Sequence, residues 1–122
     1  MNKSIACILL IFSGIVQAQV NLDDARLLMD SGAVIVIDIR ERNEHVTGVA
    51  KGMNLIPMSI LDIQLTELLK DPKQSIFLIC NTQNRSRKVV LDFQSRGYSN
   101  VQYVIGGMSE WTKRGWGLET PP

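Results

Sequence analysis

The sequence predicts an α/β domain with a mainly parallel β-sheet and helices on both faces of the sheet. Short runs rich in β-branched residues alternate along the chain with segments whose apolar residues recur at helical spacing. The runs 34–39 and 76–80 are apolar at nearly every position, as expected for strands that are covered on both sides.

The first half of the domain is predicted to contain a helix, a long strand and a short strand. Asn21 is suited to be the N-cap of the helix, and Gly32 is suited to end it. The buried strand 34–39 follows. The segment 40–52 is polar and loop-like, with room for one helical turn, and 53–57 is a short strand that a proline closes.

The second half continues the alternation of helices and strands. We expect, in order, a helix that begins near Leu61 and ends before an Asp-Pro pair, the strand 76–80, a helix over 86–96, a strand over 101–105 and a short helix that contributes Trp111 to the core. In open parallel sheets, chemistry takes place beyond the carboxyl ends of the strands. Cys80 is predicted to be the last residue of strand 76–80. The polar segment that follows it is therefore the best candidate for a functional site.

Residues 1–18 are predicted to be a secretory signal peptide. Lys3 provides a positive start, Ile5–Val16 carries no charge, and Val16-Gln17-Ala18 has the small residues of a cleavage site. A membrane-spanning helix needs roughly 20 apolar residues, whereas this run has 12, so cleavage is favoured over a permanent anchor. We expect residues 19–122 to form one exported domain with no membrane attachment, periplasmic if the source is a Gram-negative bacterium.

The charge composition argues against nucleic acids and anionic membranes as partners. Lys and Arg together number 13 and Asp and Glu 12, which gives a formal net charge of +1. Proteins that bind phosphate backbones usually carry a basic surplus or a basic block, and neither is visible here.

Cys80 is the one cysteine that remains after the signal peptide, and Cys7 with it, is removed. Exported proteins normally pair their cysteines, so an unpaired one is either a small buried apolar residue or a functional thiol. The segment 80–86, Cys-Asn-Thr-Gln-Asn-Arg-Ser, favours the second interpretation. Loop amides and a helix N-terminus stabilise a thiolate, and Arg85 adds a permanent charge that can hold an anionic substrate.

Five segments, in this order along the chain, resemble the rhodanese family of single-domain sulfurtransferases. They are Val36–Glu41 with Glu44, Gly48–Pro57, Cys80–Ser86, Gly97-Tyr98 with Val101, and Gly106-Gly107 with Trp111. The resemblance spans about residues 21–119. It implies a rhodanese-like three-layer domain over 19–122 and an activity of the thiosulfate sulfurtransferase type.

The resemblance also implies a reaction cycle. Cys80 would attack the outer sulfur of a small anionic donor such as thiosulfate, release sulfite, and hold a persulfide that cyanide or another thiol then accepts. The residues implied in donor binding form the loop: Asn81, Thr82, Gln83, Asn84 and Arg85. Neither a metal nor an organic cofactor is implied.

Other functions remain to be weighed against the sulfurtransferase. Dual-specificity phosphatases of related fold have five residues between the cysteine and the arginine, whereas this loop has four, which disfavours a phosphatase. A non-catalytic rhodanese-like module for binding or sulfur delivery stays open, although inactive modules often lack the cysteine. A thiol–disulfide oxidoreductase usually needs a second, resolving cysteine, which would be missing after cleavage.

A few positions depart from the family pattern or have a structural interpretation. A glycine is common where Gln83 stands, so we expect either a strained positive φ at Gln83 or a different path of the loop. His45 does not correspond to the family's histidine and is expected to be a surface or packing residue. Asp38 and Arg40 are expected to form a structural ion pair at the end of a strand.

The signal-peptide interpretation makes a direct prediction. Protein recovered from the cell envelope should begin at Gln19, because the only apolar N-terminal run ends at Ala18. N-terminal sequencing tests this, and an intact Met1 in a membrane fraction would show that the run is an anchor.

Overall fold

A computed structural model that describes residues 17–122 contains one five-stranded sheet. Its strands are β1 (Gln19–Val20), β2 (Val34–Asp38), β3 (Asn54–Leu55), β4 (Ser75–Ile79) and β5 (Val101–Val104). They lie in the order β1-β5-β4-β2-β3, and every neighbouring pair is parallel. The predicted parallel α/β class is confirmed, with β4 at the centre of the sheet.

The helices connect these strands. They are α1 (Leu22–Asp30), α2 (Arg42–His45), α3 (Leu61–Leu68), which follows a 3₁₀ turn at Met58–Ile60, α4 (Asn84–Ser95) and α5 (Gly107–Lys113). Asn21 caps α1 as predicted, since its side chain accepts a hydrogen bond of 2.8 Å from the amide of Asp24. Within residues 17–122, none of the helices has the length and apolar character that crossing a membrane requires.

The core lies on both faces of the sheet, which confirms the three predicted layers. Along β4 the side chains alternate: Ile76 and Leu78 pack towards α3 and α4, whereas Phe77 and Ile79 pack towards α1 and α5. Cys80 continues the alternation on the α3 and α4 side. The core on the opposite face includes Trp111, which confirms its predicted place.

Some boundaries differ from the sequence-based prediction. The strand predicted over 53–57 shortens to Asn54–Leu55, and the two-residue β1, which pairs with the edge of β5, was not predicted. Residues 1–16, which hold most of the predicted signal peptide, lie outside the described part of the chain.

The end of β4 requires a related correction. Cys80 is the residue after this strand, not its last residue. The ladder with β2 ends where the carbonyl of Ile79 accepts a hydrogen bond of 2.9 Å from the amide of Ile39. Beyond this point the carbonyl of Cys80 turns towards α5.

A buried ion pair closes the end of β2. Asp38 is fully buried and Arg40 is 5% exposed, and Arg40 Nη2 lies 2.7 Å from Asp38 Oδ2. The same Nη2 donates to the carbonyl of Gly48 at 2.9 Å, which fixes the turn after α2. His45 packs beside the pair, with its Nε2 3.5 Å from Asp38 Oδ1. The structural interpretation of Asp38 and Arg40 is confirmed, and His45 is a packing residue.

Removing one partner of this pair should be costly. Asp38→Ala leaves the Arg40 guanidinium buried without its counter-ion, and we expect a loss of about 3–5 kcal/mol in the free energy of unfolding. As a control, Asp30→Ala breaks an exposed pair with Arg26 and should cost far less. Urea denaturation measures both, and equal losses would contradict a structural role for the buried pair.

Candidate active site

The sulfur of Cys80 lies at the start of α4. The side chain is only 1% exposed, and its Sγ is 3.3 Å from the hydroxyl of Ser86, a fully buried residue in the first turn of the helix. Ser86 Oγ also donates to the carbonyl of Gln83 at 3.2 Å. Because a hydroxyl both accepts and donates, Ser86 can accept from the Cys80 thiol and can turn to donate to the thiolate.

The loop after Cys80 is held by its carbonyl groups. The amide of Met108 donates to the carbonyl of Cys80, and the amide of Ser109 donates to that of Asn81, both at 2.8 Å. In a trans peptide the N–H points away from the C=O, and the described residues contain no cis peptide. The amides of Asn81 and Thr82 therefore point away from α5, which covers the opposite face of the sheet from the Cys80 side chain.

The amides of this segment are left without acceptors. Within residues 17–122, the backbone N–H groups of 81–86 make no hydrogen bond. The side chain at the N-cap of α4, Gln83, does not cap the helix. The first turn of α4 and the loop before it thus offer unpaired donors and a positive helix end close to the sulfur, a setting that favours an anion.

Gly107 allows α5 to approach the loop. Its φ is +59°, and a Cβ at this position would lie 2.3–2.6 Å from the carbonyl oxygens of residues 80–82. No side chain fits at such distances. Glycine is therefore required here both for its conformation and for the close contact between the two backbones.

Gln83 does not have the strained conformation that the sequence suggested as one possibility. Its φ is −160°, which is extended backbone, and no residue other than glycine has a positive φ in residues 17–122. The loop takes the other path: Gln83 Oε1 accepts a hydrogen bond of 2.9 Å from the amide of Gly106. The side chain ties the loop to the glycine turn, so a glycine at position 83 would lose a contact and would relieve no strain.

Arg85, in the first turn of α4, forms a bidentate ion pair with a residue of α2. Its Nη1 and Nη2 lie 2.6 and 2.8 Å from the two carboxylate oxygens of Glu44, a residue of α2. The hydrogen bonds from Arg85 lower the pKa of Glu44 from 4.5 to about 2. Any stability that the pair contributes is present above pH 4.5 and is lost as the pH falls towards 2. Glu44 is therefore ionised at neutral pH.

The predicted site residues contribute in different ways. Asn81, Thr82 and Asn84 have exposed side chains, so the loop offers mainly their backbone amides. Arg85 is not a loop residue, because α4 begins at Asn84 and places it in the first helical turn. The structure thus groups the six residues around one helix N-terminus, and their roles in donor binding stay predictions.

Glu44 and Ser86 contact the predicted site residues, although no separate role was predicted for them. Both lie in segments that carry the family resemblance, but their contacts depend on the fold. Glu44 is 41 positions from Arg85, a separation that no local spacing rule connects. Ser86 follows Arg85 directly, and only the start of α4 at Asn84 turns its hydroxyl towards the sulfur.

Comparison with known proteins gives consistent relatives. The sequence model of the Rhodanese-like domain family matches residues 21–114. A sulfurtransferase of Allochromatium vinosum is 27% identical over 94 residues, which cover 77% of this chain and 86% of that protein. The putative sulfur carrier protein YrkF of Bacillus subtilis is 25% identical over 95 residues, covering 77% of this chain and 50% of that protein.

Solved structures of similar fold include a rhodanese-like domain protein from Staphylococcus aureus. It is 25% identical with a TM-score of 0.72, over 87% of this chain and 100% of that one. A rhodanese-related protein from Thermoplasma volcanium is 26% identical with a TM-score of 0.69, over 84% of this chain and 98% of that one.

The contact between Gly107 and the loop leads to a stability prediction. Gly107→Ala should lower the free energy of unfolding by at least about 3 kcal/mol, because left-handed strain adds to a clash with backbone. Gly115→Ala is the matched control: its φ is +73°, but a Cβ there meets nothing within 4 Å, so about 1 kcal/mol of strain is expected. Thermal melts compare the two variants, and equal destabilisation would show that the loop contact is unimportant.

Proposed function

The chain belongs to the Rhodanese-like domain family, and on that basis we propose that it is a sulfurtransferase that carries a sulfane sulfur as a persulfide on Cys80. The observation that supports this proposal most directly is the position of Cys80 Sγ, 3.3 Å from Ser86 in the uncapped first turn of α4. The sulfurtransferase of Allochromatium vinosum, which covers a comparable length of chain, is consistent with this assignment.

The first half of the proposed reaction loads the cysteine. The Cys80 thiol loses its proton to water, and the thiolate attacks the outer sulfur of a donor such as thiosulfate. A bond forms between Sγ and that sulfur while the S–S bond of the donor breaks, and sulfite leaves with the electron pair. Cys80 then carries a persulfide anion with one additional sulfur atom.

The second half of the reaction unloads the cysteine. Cyanide or an acceptor thiolate attacks the terminal sulfur, and the S–S bond of the persulfide breaks to return the Cys80 thiolate. Negative charge is present on sulfur throughout the cycle. The unpaired amides of 81–86 are neutral dipoles already fixed in place, so they can stabilise this charge without reorganising.

A second candidate is a module that stores sulfur and delivers it only to a partner protein. The relationship to a putative sulfur carrier protein of Bacillus subtilis is compatible with it. Both candidates share the loading step and differ in whether small acceptors unload the sulfur. For either role we also propose export of the chain, on the basis of its N-terminal segment.

The loading step has a simple test. After incubation with thiosulfate, the intact mass of the purified protein should increase by one sulfur atom, and cyanide should reverse the increase. Cys80→Ser should show no gain, because a hydroxyl of similar size cannot form the persulfide, and its melting curve should stay close to that of the parent. A sulfur gain in the Ser variant would contradict the mechanism, and loading that cyanide fails to reverse would favour the delivery module.

A further inference from the structure

The positive charge of Arg85, beside the loop, is neutralised by a carboxylate. Both terminal nitrogens of Arg85 face the carboxylate of Glu44, and the side chains are 34% and 31% exposed. Arg40, another arginine that borders the loop, is paired with Asp38. Three exposed basic residues on the two helices form no salt bridge within residues 17–122: Arg42, Arg87 and Lys88. Glu44 therefore removes the net charge of Arg85 itself, while other cations on α2 and α4 remain.

The pairing separates two properties of Arg85. A guanidinium has five N–H donors, and the contact with Glu44 uses its two terminal nitrogens, so donors remain that can orient an incoming anion. The long-range electrostatic attraction of an anion is different, because it depends on the summed charge of Arg85 and Glu44, which is zero. Orientation by Arg85 is retained, whereas electrostatic capture of the donor is weakened.

The pairing of Arg85 with Glu44 reduces the electrostatic attraction most for a donor with two negative charges. The attacking group is itself a thiolate, and the amides of 81–86 provide dipoles without net charge. Coulomb energy is proportional to the charge of the approaching ion. The neutralisation of Arg85 by Glu44 therefore costs a dianion about twice as much as a monoanion.

We propose that Glu44 tunes the donor preference of this site, shifting it away from the thiosulfate dianion and towards sulfane donors of lower negative charge, such as organic thiosulfonates and thiol persulfides. The proposal rests on the function proposed for Cys80 and adds the class of donor. The chemistry is unchanged: Sγ bonds to the outer sulfur of the donor, and the electron pair of the broken S–S bond leaves with an organic sulfinate or thiolate in place of sulfite.

The variant that tests this proposal is Glu44→Gln. Glutamine keeps the size of the side chain and an oxygen that can accept from the amide of Glu41, as Glu44 Oε1 does now at 3.1 Å. The charge is lost, and so is the hydrogen bond from Arg85 Nη2, because the amide nitrogen that replaces Oε2 cannot accept. The probes are thiosulfate, a dianion, and methanethiosulfonate, a monoanion, and the measurement is kcat/KM for each donor, followed by the release of sulfite or sulfinate.

The expected result is a gain for both donors that is larger for the dianion. If methanethiosulfonate gains about threefold, thiosulfate should gain about tenfold, because the logarithm of the gain scales with the charge of the donor. Glu41→Gln is the matched control. It removes an equal charge one helical turn away, but its carboxylate binds Ser59 and not Arg85, so both gains should be smaller.

Several results would overturn the proposal. Equal gains for the two donors would mean that Glu44 acts by restricting access, and losses for both would mean that it positions Arg85. If the parent protein acquires no sulfur from either donor, the function proposed for Cys80 fails as well. If the parent acquires sulfur but the gains of Glu44→Gln for the two donors do not follow donor charge, only the proposal on Glu44 fails.

The salt dependence of the two proteins provides an independent check. Glu44→Gln has one more uncompensated positive charge than the parent, so its kcat/KM for thiosulfate should fall more steeply with added salt, since salt screens the attraction between that charge and the dianion. Equal salt dependence in the parent and the variant would contradict the masking of Arg85 by Glu44.

Discussion

The close contact between the glycine turn and the loop after Cys80 is the constraint on which the site depends. The amides of Met108 and Ser109 bind the carbonyl groups of Cys80 and Asn81, and Gly107 has no side chain that would separate the two backbones. A peptide whose carbonyl is fixed has its N–H fixed as well, on the opposite side. These two hydrogen bonds therefore orient the N–H groups of the loop, although the side chains of this segment are exposed to solvent.

The position of the sulfur follows from the alternation of the central strand. Residues 76, 78 and 80 face the α3 and α4 side of the sheet, so the side chain of Cys80 meets the N-terminal turn of α4. The carbonyl of the same residue faces α5 on the other side. The sulfur and the hydrogen bonds that hold the backbone of Cys80 thus lie on opposite faces of the sheet, so they do not compete for space.

Two arginines near the loop are paired with carboxylates. Asp38 with Arg40 is buried and fixes the turn at Gly48, whereas Glu44 with Arg85 is partly exposed. The amides of 81–86, in contrast, are donors near the sulfur that no acidic side chain neutralises. Dipoles fixed by the backbone are less sensitive to salt and pH than free charges, and they act on sulfur without attracting every anion in solution.

Much of the fold can be predicted from local patterns. The bounds of α3, the cap at Asn21 and the parallel arrangement around the run 76–80 depend on periodicity, capping and β-branched content, which are properties of neighbouring residues. The strand β1 was not predicted, because two residues carry no periodic signal and are extended only through pairing with β5.

Some features of the candidate site likewise follow from local sequence, and others depend on the fold. The sequence predicts Cys80 as the nucleophile, the loop length of four residues between Cys80 and Arg85, and the family, since each depends on the residue types and spacing within short segments. That Gln83 binds Gly106 instead of being strained, and that Glu44 neutralises Arg85, emerges only once the chain is folded. These contacts join residues 23 and 41 positions apart, and side chains so distant in sequence meet only when the sheet brings the ends of its strands to one edge.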